Sequence, residues 1–185
     1  MPSFENLFAE SKGAAVEYNG MTLHLSDRFP VSNGDKLVIC IESTESKRPQ
    51  GLSVYIVGRF ELLGKIQKKG KAVAPLFWED SEVLDPKHIE ITVFTKKGFV
   101  IIQNICEVDY SYLTSDASGA PIEVHKKKTD SGHNGAAMIV EEIENGRRYR
   151  CSDIFSEDKE DPFSNIVFTV QKLKVDEILL HKMLQ

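Results

Sequence analysis

Short segments of alternating apolar and polar residues, separated by turns that contain glycine, constrain the fold of this chain more than any other feature. Residues 89–93 and 166–170 alternate cleanly, which predicts strands with one buried face and one solvated face. Residues 37–41 and 99–102 are unbroken apolar runs, which predicts central strands covered on both faces. The other candidate strands are residues 52–60, 72–77, 107–113 and 121–125.

The turn sequences favour hairpins. The Asn-Gly pairs at residues 19–20 and 145–146 predict two-residue turns, because both residue types tolerate the positive φ of a type I′ turn. Residues 94–99 predict a three-residue hairpin in which Gly98 takes the left-handed position, and residues 68–70 repeat that pattern. No helical pattern of about 10–15 residues separates the strands, which argues against an α/β fold.

Helical periodicity is confined to the two ends of the chain. Phe4, Leu7 and Phe8 fall at positions i, i+3 and i+4, and Gly13 can end such a helix. Residues 175–184 carry a second apolar stripe, with acids in the first turn and bases in the last, as the helix dipole favours. Each stripe predicts a short amphipathic helix at one terminus.

The predicted fold class is all-β: an antiparallel β-sandwich or barrel of about ten short strands, with short amphipathic helices at the N- and C-termini. The 185 residues suit one domain. We expect an N-terminal helical arm at residues 1–13, a β-sandwich domain at residues 14–172, and a C-terminal helix at residues 173–185 packed on or beside it.

Composition excludes several classes of protein. Hydrophobic residues make up 41% and charged residues 28%, so the chain can bury a core and is not intrinsically disordered. Three cysteines cannot all pair, which argues against a disulfide scaffold. The formal net charge of −5 argues against nucleic acid as a partner. We expect no transmembrane segment, because no apolar run approaches the roughly 18 residues of a membrane helix. We expect no secretory signal, because the first residues lack a basic n-region and an apolar h-region.

The cysteines indicate a reducing compartment. Cys40 and Cys106 lie inside apolar runs, and Cys151 follows a short strand-like segment. Free cysteines in such positions behave as small hydrophobic residues and are typical of the cytoplasm. We therefore expect a cytoplasmic protein in which Cys40 and Cys106 are reduced and buried.

No group of residues predicts catalysis, a metal or a cofactor. The loop at residues 129–135 holds an acid, a hydroxyl and an imidazole, but the members of a nucleophilic triad come from distant parts of a chain. His125 and His133 could meet across a hairpin, but they lack a third ligand. The acids of residues 153–161 have no regular spacing, which leaves cation binding there open. We expect no catalytic, metal-binding or cofactor-binding residues.

Patches of opposite charge indicate a surface that binds a partner. The basic clusters are at residues 65–71, 126–128 and 147–150, and the acidic clusters are at residues 79–85 and 153–161. Such patches suit contact with a protein partner or with copies of the same chain. An aromatic residue at a strand end, such as Trp78, can anchor a partner. The interface candidates are Phe4, Leu7, Phe8, Trp78, Lys68, Lys69, Lys71, Arg147 and Arg148.

The leading functional hypothesis is a non-enzymatic structural or interaction protein, a self-associating subunit that forms a homo-oligomer. Small β domains with helical ends occur among virus matrix and tail-tube proteins, which is an analogy of architecture alone. The second hypothesis is an adaptor, immunity or ligand-binding β-sandwich module, and the third is an enzyme with a dispersed site. Under the leading hypothesis the N-terminal stripe docks on a second copy. Docking of the stripe on its own domain is the alternative.

Overall fold

The computed structural model describes residues 4–67, 70–131, 136–153 and 161–173. Within these ranges the chain forms two antiparallel β-sheets, one of nine strands and one of five. The sheets pack face to face around a shared apolar core and do not close into a barrel. The all-β prediction is therefore confirmed, with the sandwich as its form.

The strands of the first sheet, in spatial order, are β1 (Val16–Tyr18), β2 (Met21–His24), β12 (Ala137–Ile143), β13 (Gly146–Ser152), β14 (Ile166–Lys172), β4 (Lys36–Thr44), β9 (Ile89–Thr95), β6 (Gly58–Leu62) and β7 (Lys65–Gln67). The strands of the second sheet are β11 (Pro121–Asp130), β10 (Phe99–Ser115), β5 (Gln50–Tyr55) and β8 (Leu76–Trp78), with β3 (Asp27–Pro30) paired to the start of β10. The helical segments in the described ranges are α1 (Phe4–Glu10) and a 3₁₀ turn at Pro162–Ser164.

The core between the sheets is built from strands that alternate as their sequence predicts. β9 buries every second residue from Ile89 to Thr95. In β14, Ile166, Phe168 and Val170 are fully buried, as the alternation predicts. The second sheet faces them with Phe29, Leu52, Val54, Val100 and Ile102.

The two unbroken apolar runs form interior strands, but the prediction that both of their faces are covered is wrong. β4 lies between β14 and β9, while the start of β10 lies between β5 and β3. In each run every second side chain enters the core and the others are half-buried on the outer face of the sheet. On that face Phe99 lies 5.1 Å from the Arg28 guanidinium, so a cation rather than an apolar layer contacts the ring.

The two Asn-Gly pairs have different roles. The pair at residues 19–20 has φ values of 50° and 75° and closes the β1–β2 hairpin, as predicted. At the second pair the turn consists of Glu144 and Asn145, because Gly146 already pairs within β13. The predicted turn is therefore displaced by one residue. Close contact explains the glycine, since a Cβ on Gly146 would lie 2.2 Å from the carbonyl oxygen of Val170.

Residues 94–99 form a tight turn but not a hairpin, which corrects another prediction. Gly98 has the predicted left-handed φ, 75°. However, β9 and β10 belong to different sheets, so the turn carries the chain from one layer of the sandwich to the other. The hydroxyl of Thr95 donates to the Val57 carbonyl at 2.9 Å, and the N–H of Val31 donates to the Gly98 carbonyl at 3.0 Å. These bonds fix the two ends of the turn.

Several predicted boundaries also change. Residues 52–60 contribute to β5 and β6, which lie in different sheets, and residues 72–77 contribute to the three-residue β8. The predicted strands at residues 99–102 and 107–113 are one strand, β10, of 17 residues. The described ranges hold fourteen strands instead of about ten. The predicted turn at Lys68-Lys69 and the C-terminal helix beyond residue 173 lie outside the described residues.

The N-terminal helix α1 docks on its own chain. Gly13 ends this segment as predicted, with a φ of 80° and its N–H bonded to the Phe8 carbonyl. Phe4 and Phe8 are 2% and 4% exposed. The Phe4 ring stacks on Phe163 at 5.8 Å and meets Tyr18 edge-on at 5.4 Å. The stripe therefore docks in cis, which corrects the hypothesis that it docks on a second copy.

Replacing both Phe4 and Phe8 by alanine should destabilise the protein and leave its oligomeric state unchanged. Truncating a buried phenylalanine typically costs about 3–5 kcal/mol, because it leaves a cavity where the ring was packed. We expect a lower Tm by circular dichroism and faster proteolytic removal of residues 1–13. Glu5→Ala, on the exposed side of α1, is the matched control. An unchanged Tm in the double variant would contradict docking in cis.

The three cysteines are free thiols. Cys106 and Cys151 are buried, and burial raises the pKa of Cys106 to about 12 and the pKa of Cys151 well above its ordinary value. Cys40 is half-buried, and its partial burial together with the charge of Glu42 raises its pKa. Burial is therefore confirmed for Cys106 and is only partial for Cys40.

Above about pH 9 the free energy of unfolding should fall as the pH rises. Thiols of the unfolded chain ionise near pH 8.5, whereas native Cys106 keeps its proton up to about pH 12. The unfolded state therefore binds fewer protons in this window, and each such thiol lowers the free energy of unfolding by about 1.4 kcal/mol per pH unit. Urea denaturation at a series of pH values measures how steeply the free energy of unfolding falls with pH. Cys106→Ala should make this fall less steep by the contribution of one thiol. An unchanged slope would show that native Cys106 ionises like an unfolded thiol.

Candidate functional site

The most distinctive feature of the molecule is a two-stranded arm that extends from the second sheet. β5 pairs with β10 as far as Cys106, and the N–H of Glu107 donates to the Pro49 carbonyl at 3.0 Å. From Val108 onward, within the described residues, β10 pairs with β11 alone. We call residues 108–128 the arm. Its eight residues per strand give it a length of about 25 Å.

The tip of the arm is held by one aspartate. The Oδ1 atom of Asp116 accepts hydrogen bonds from the N–H and hydroxyl of Ser118 and from the N–H of Ala120, at 2.6–2.9 Å. The Ser118 hydroxyl is the main cause that lowers the pKa of Asp116. Gly119 takes the left-handed conformation, with a φ of 86°. The tip is thus a defined turn, which keeps the two strands in register.

One face of the arm continues the core-facing side of the second sheet. In β10 the even-numbered residues from Val100 to Cys106 point into the sandwich and are at most 2% exposed. No register shift interrupts the β10–β11 pairing, so the same face continues along the arm. We call this surface the inner arm face. Its members are Val108, Tyr110, Tyr112, Thr114, Ile122, Val124, Lys126 and Lys128.

The inner arm face is apolar and basic. Tyr110, Tyr112 and Ile122 are 41%, 39% and 42% exposed, although their position in the pleat corresponds to that of core residues. The two tyrosine rings stack at 5.8 Å, and the Lys126 ammonium lies 5.5 Å from the Tyr112 ring centroid. The interaction with Tyr112 raises the pKa of Lys126. With Lys128 beside it and no acid among its residues, the face carries two positive charges.

The opposite face of the arm is polar. Lys127 bonds to Glu107 at 2.6 Å, and that bond raises the pKa of Lys127. Asp109 and Glu123 add negative charge to this face, and Leu113 is a large apolar residue on it, 76% exposed. The arm is therefore amphipathic, with an acidic outer face and an apolar, basic inner face.

Buried polar groups tie the base of the arm to the first sheet. The amide of Gln50 donates to Asp153 Oδ2 at 2.8 Å, and the hydroxyl of Ser46 donates to the same oxygen at 3.0 Å. The amide of Asn104 donates to the Ser152 carbonyl at 3.0 Å. Gln50 and Asn104 belong to the second sheet, whereas residues 152–153 end β13 of the first. The root of the arm is consequently fixed between both layers.

The structure answers part of the open question about the acids of residues 153–161. Asp153 is buried and accepts the bonds just described. Asp161 caps the 3₁₀ turn by accepting from the N–H of Phe163 and forms an ion pair with Arg150. Residues 154–160 lie outside the described residues. Among the described residues, no group of three or more metal-ligating side chains comes together.

The loop at residues 129–135 is described only up to residue 131. Asp130 is buried at the end of β11, where it pairs with Cys106 in register. His133 lies outside the described residues, while His125 is exposed on the outer face of the arm with its Nε2 3.8 Å from Glu123. A contact between the two histidines, which the sequence left open, therefore involves a residue outside the described ranges.

Three further interface candidates lie apart from the inner arm face. Leu7 and Trp78 are half-buried, and Lys71 is exposed. Lys68 and Lys69 lie outside the described residues.

Arg147 is held by an ion pair within the chain. Its Nη1 atom lies 2.9 Å from both carboxylate oxygens of Asp27, and its Nε donates to Glu142 at 2.7 Å. The hydroxyl of Tyr149 donates to Asp27 at 2.7 Å, and burial raises the pKa of Tyr149. Because Asp27 lies in β3 and Arg147 in β13, this pair joins the two sheets. Arg147 is thus engaged inside the molecule.

The clefts of the described surface are open depressions. One of about 520 Å³ is lined by Arg59, Phe94 and the Lys96-Lys97 turn, and one of about 470 Å³ lies between β6 and β9 beside Leu84. The Arg59 guanidinium of the first cleft lies over the Phe94 ring, 4.9 Å from its centroid. Neither cleft encloses a ligand-sized volume with converging polar groups, as a small-molecule site requires.

Sequence reasoning missed the inner arm face, although its signal is present. Residues 107–113 and 121–125 were assigned to strands, and both alternate between apolar and polar residues. Pairing them in register would have placed Tyr110 opposite Lys126 and Tyr112 opposite Val124. What could not be read from the pattern is that no second layer of the described residues faces this part of the sheet.

Comparison with protein-family models, with curated proteins and with solved structures gives no match to this chain, so its function has to be argued from its own residues. None of the helices in the described part of the chain has the length and apolar character that a membrane span requires.

The neighbours Arg147 and Arg148 should respond differently to removal of their charge. Arg147→Met leaves the buried Asp27 carboxylate without its cation and should lower the free energy of unfolding by about 3 kcal/mol. Arg148 pairs at the surface with Glu42 and Glu141, so Arg148→Met should cost at most about 1 kcal/mol. Chemical denaturation of the two variants provides the comparison. Equal losses would contradict the role of Asp27–Arg147 in joining the sheets.

Proposed function

We propose that this protein is a non-enzymatic, self-associating subunit that assembles through the inner face of its arm. The observation that carries this proposal is the exposure of Tyr110, Tyr112 and Ile122 on the continuation of the core face. A row of such residues in the pleat of a sandwich is normally covered by a second layer. Here a second molecule can supply that layer.

The physical argument is that an uncovered two-stranded ribbon gains from being covered. A lone two-stranded hairpin is marginally stable in water, because it has too little apolar surface to bury. Fully burying a large apolar side chain contributes about 1.5–3 kcal/mol, and the inner arm face offers several that are half-exposed. Aromatic residues beside lysine stems are favourable at protein interfaces, since both offer apolar area with a polar end.

The proposal keeps the oligomeric, structural character expected from the sequence and the analogy with matrix and tail-tube subunits, but moves the contact from α1 to the arm. A cytoplasmic location is part of the proposal, supported by three free cysteines, two of them buried. The alternative function is an adaptor whose arm binds a different protein. The same face would serve, and the oligomeric state of the purified chain separates the two.

Replacing Tyr110 and Tyr112 by serine should dissociate the assembly. Removing two aromatic rings from an interface should raise the dissociation constant by at least about 100-fold, because hot-spot aromatic residues cost 2 kcal/mol or more each. Size-exclusion chromatography with light scattering over a range of concentrations measures the effect. Leu113→Ser is the matched control, because Leu113 is exposed on the outer face of the same strand.

A second variant keeps the test independent of single side chains. Since Val108 pairs with Lys128, residues 109–127 can be replaced by Asn-Gly, which closes a two-residue turn at the base of the arm. The sandwich should keep its circular dichroism spectrum while the chain becomes monomeric. A parent chain that is monomeric at high concentration, or an oligomer that survives loss of the arm, would contradict the proposal.

A further inference from the structure

The charges of the inner arm face restrict what can cover it. The face carries Lys126 and Lys128 and none of the acidic residues of the arm. Two inner arm faces stacked on each other would bring four lysines together, and like charges in a desolvated contact oppose association. The surface that covers this face must therefore combine apolar area with acids.

The loop at residues 79–85, which we call the acidic loop, has that combination. Val83 is 84% exposed, which is more than any other large apolar residue of the described chain. Asp80 and Glu82 precede it in the loop and are exposed as well. An exposed valine beside two carboxylates matches, in polarity and charge, a patch in which Lys126 and Lys128 lie beside Tyr110 and Val108.

The acidic loop is preformed. The hydroxyl of Ser81 accepts from the N–H groups of Val83 and Leu84 at 3.3 and 3.1 Å. Glu79 Oε1 accepts from the N–H of Gln50 at 2.9 Å, and Leu84 packs against the main core. These contacts anchor both ends of the loop and leave Asp80, Glu82 and Val83 exposed. Binding would therefore cost little ordering entropy.

The acidic loop of the same chain is anchored at the base of the arm. Glu79 bonds to Gln50, which pairs with Cys106 just before the arm begins. Tyr110 and Tyr112 lie four and six residues further along β10, which is about 13–20 Å away. A loop that covers the inner arm face has to come from a second copy.

We propose that the inner arm face of one copy docks on the acidic loop of a second copy, an inference that rests on the proposed function and names its contact surfaces. Val83 packs against the tyrosines, while Lys126 and Lys128 face Asp80 and Glu82. Trp78, which precedes the loop and was predicted to anchor a partner, forms the edge of this receptor surface. Two copies close the contact as an isologous, two-fold dimer when each gives its arm to the acidic loop of the other.

Charge reversal with rescue tests the contact. Lys126→Glu with Lys128→Glu should weaken self-association about tenfold or more, and Asp80→Lys with Glu82→Lys should do the same. Combining all four changes in one chain restores opposite charges at every contact and should recover most of the lost affinity. Mixing the two double variants should also recover assembly, because the acidic arm of one can bind the basic loop of the other. Sedimentation velocity measures each dissociation constant.

The matched control reverses the same number of charges elsewhere. Lys96→Glu with Lys97→Glu changes the net charge as much as the double change in the arm does. These two lysines precede β10, at the end of the strand away from the arm, so their replacement should leave self-association unchanged. Circular dichroism confirms that every variant is folded. All substituted side chains are exposed, so their replacement should not disturb the core.

The outcomes separate this inference from the proposed function. If the double Tyr→Ser variant dissociates while neither charge-reversed variant weakens, or the four-fold variant shows no rescue, the arm assembles on another surface and the acidic loop is not the receptor. If the parent chain is monomeric, both the proposed function and this inference are wrong. Loss in both double variants with recovery in the four-fold variant and in the mixture supports the contact.

Discussion

The uninterrupted pleat of β10 is the constraint on which the rest of the structure depends. Seventeen residues run without a register shift, so the even-numbered side chains stay on one side from Val100 to Thr114. The first half of that row lies in the core and the second half lies in the arm. The same alternation therefore fills the core and forms the inner arm face. A change of register that exposed Val100 would also turn Tyr110 and Tyr112 to the acidic face.

Polar contacts fix where the core ends and the arm begins. Asp27 reaches across the sandwich to Arg147, and it pairs in register with Ile102 of β10. Two residues further along, Asn104 bonds to the first sheet. Buried polar groups of this kind cost stability when left without partners and confer a specific alignment when paired. These contacts lie just before Cys106, so the arm starts from a part of β10 that is bonded to the first sheet.

The sequence predicts much of the fold because its strong signals are local. Alternation identified β9 and β14, the apolar stripe identified α1, and glycine with positive φ identified the turns at residues 19–20 and at Gly98. It failed where a local pattern has two tertiary outcomes. Residues 94–99 form the same tight turn whether their flanking strands pair or belong to two different sheets. The sequence predicts Gly146 as a turn residue, but a glycine is needed there because the backbone of β14 lies too close for a side chain.

The site was harder to predict for a related reason. Val108, Tyr110 and Tyr112 have the pattern of a half-buried strand, and only the arrangement of the other sheet decides whether a layer covers them. The N-terminal stripe led to the opposite error, because it was predicted to dock on a second copy and is buried within its own chain. Phe4 and Phe8 looked unpartnered in the sequence, yet Phe163, more than 150 residues away, completes their pocket. Periodicity shows which side chains lie on the same side of a helix or strand. It does not show which distant residues pack against them.

Lys126 has a role in the isolated chain as well as in the proposed assembly. Its ammonium lies over the Tyr112 ring, whose π electrons attract the positive charge. Lysines along an exposed ribbon also discourage unspecific pairing with other strands. An acidic receptor can draw the same ammonium away from the ring and expose the tyrosine to an apolar contact. Lys126 thus shields the apolar patch in the absence of a partner and favours a partner of opposite charge. Because salt screens the attraction between lysine and carboxylate, it should weaken the charged contacts of the assembly more than the apolar contacts.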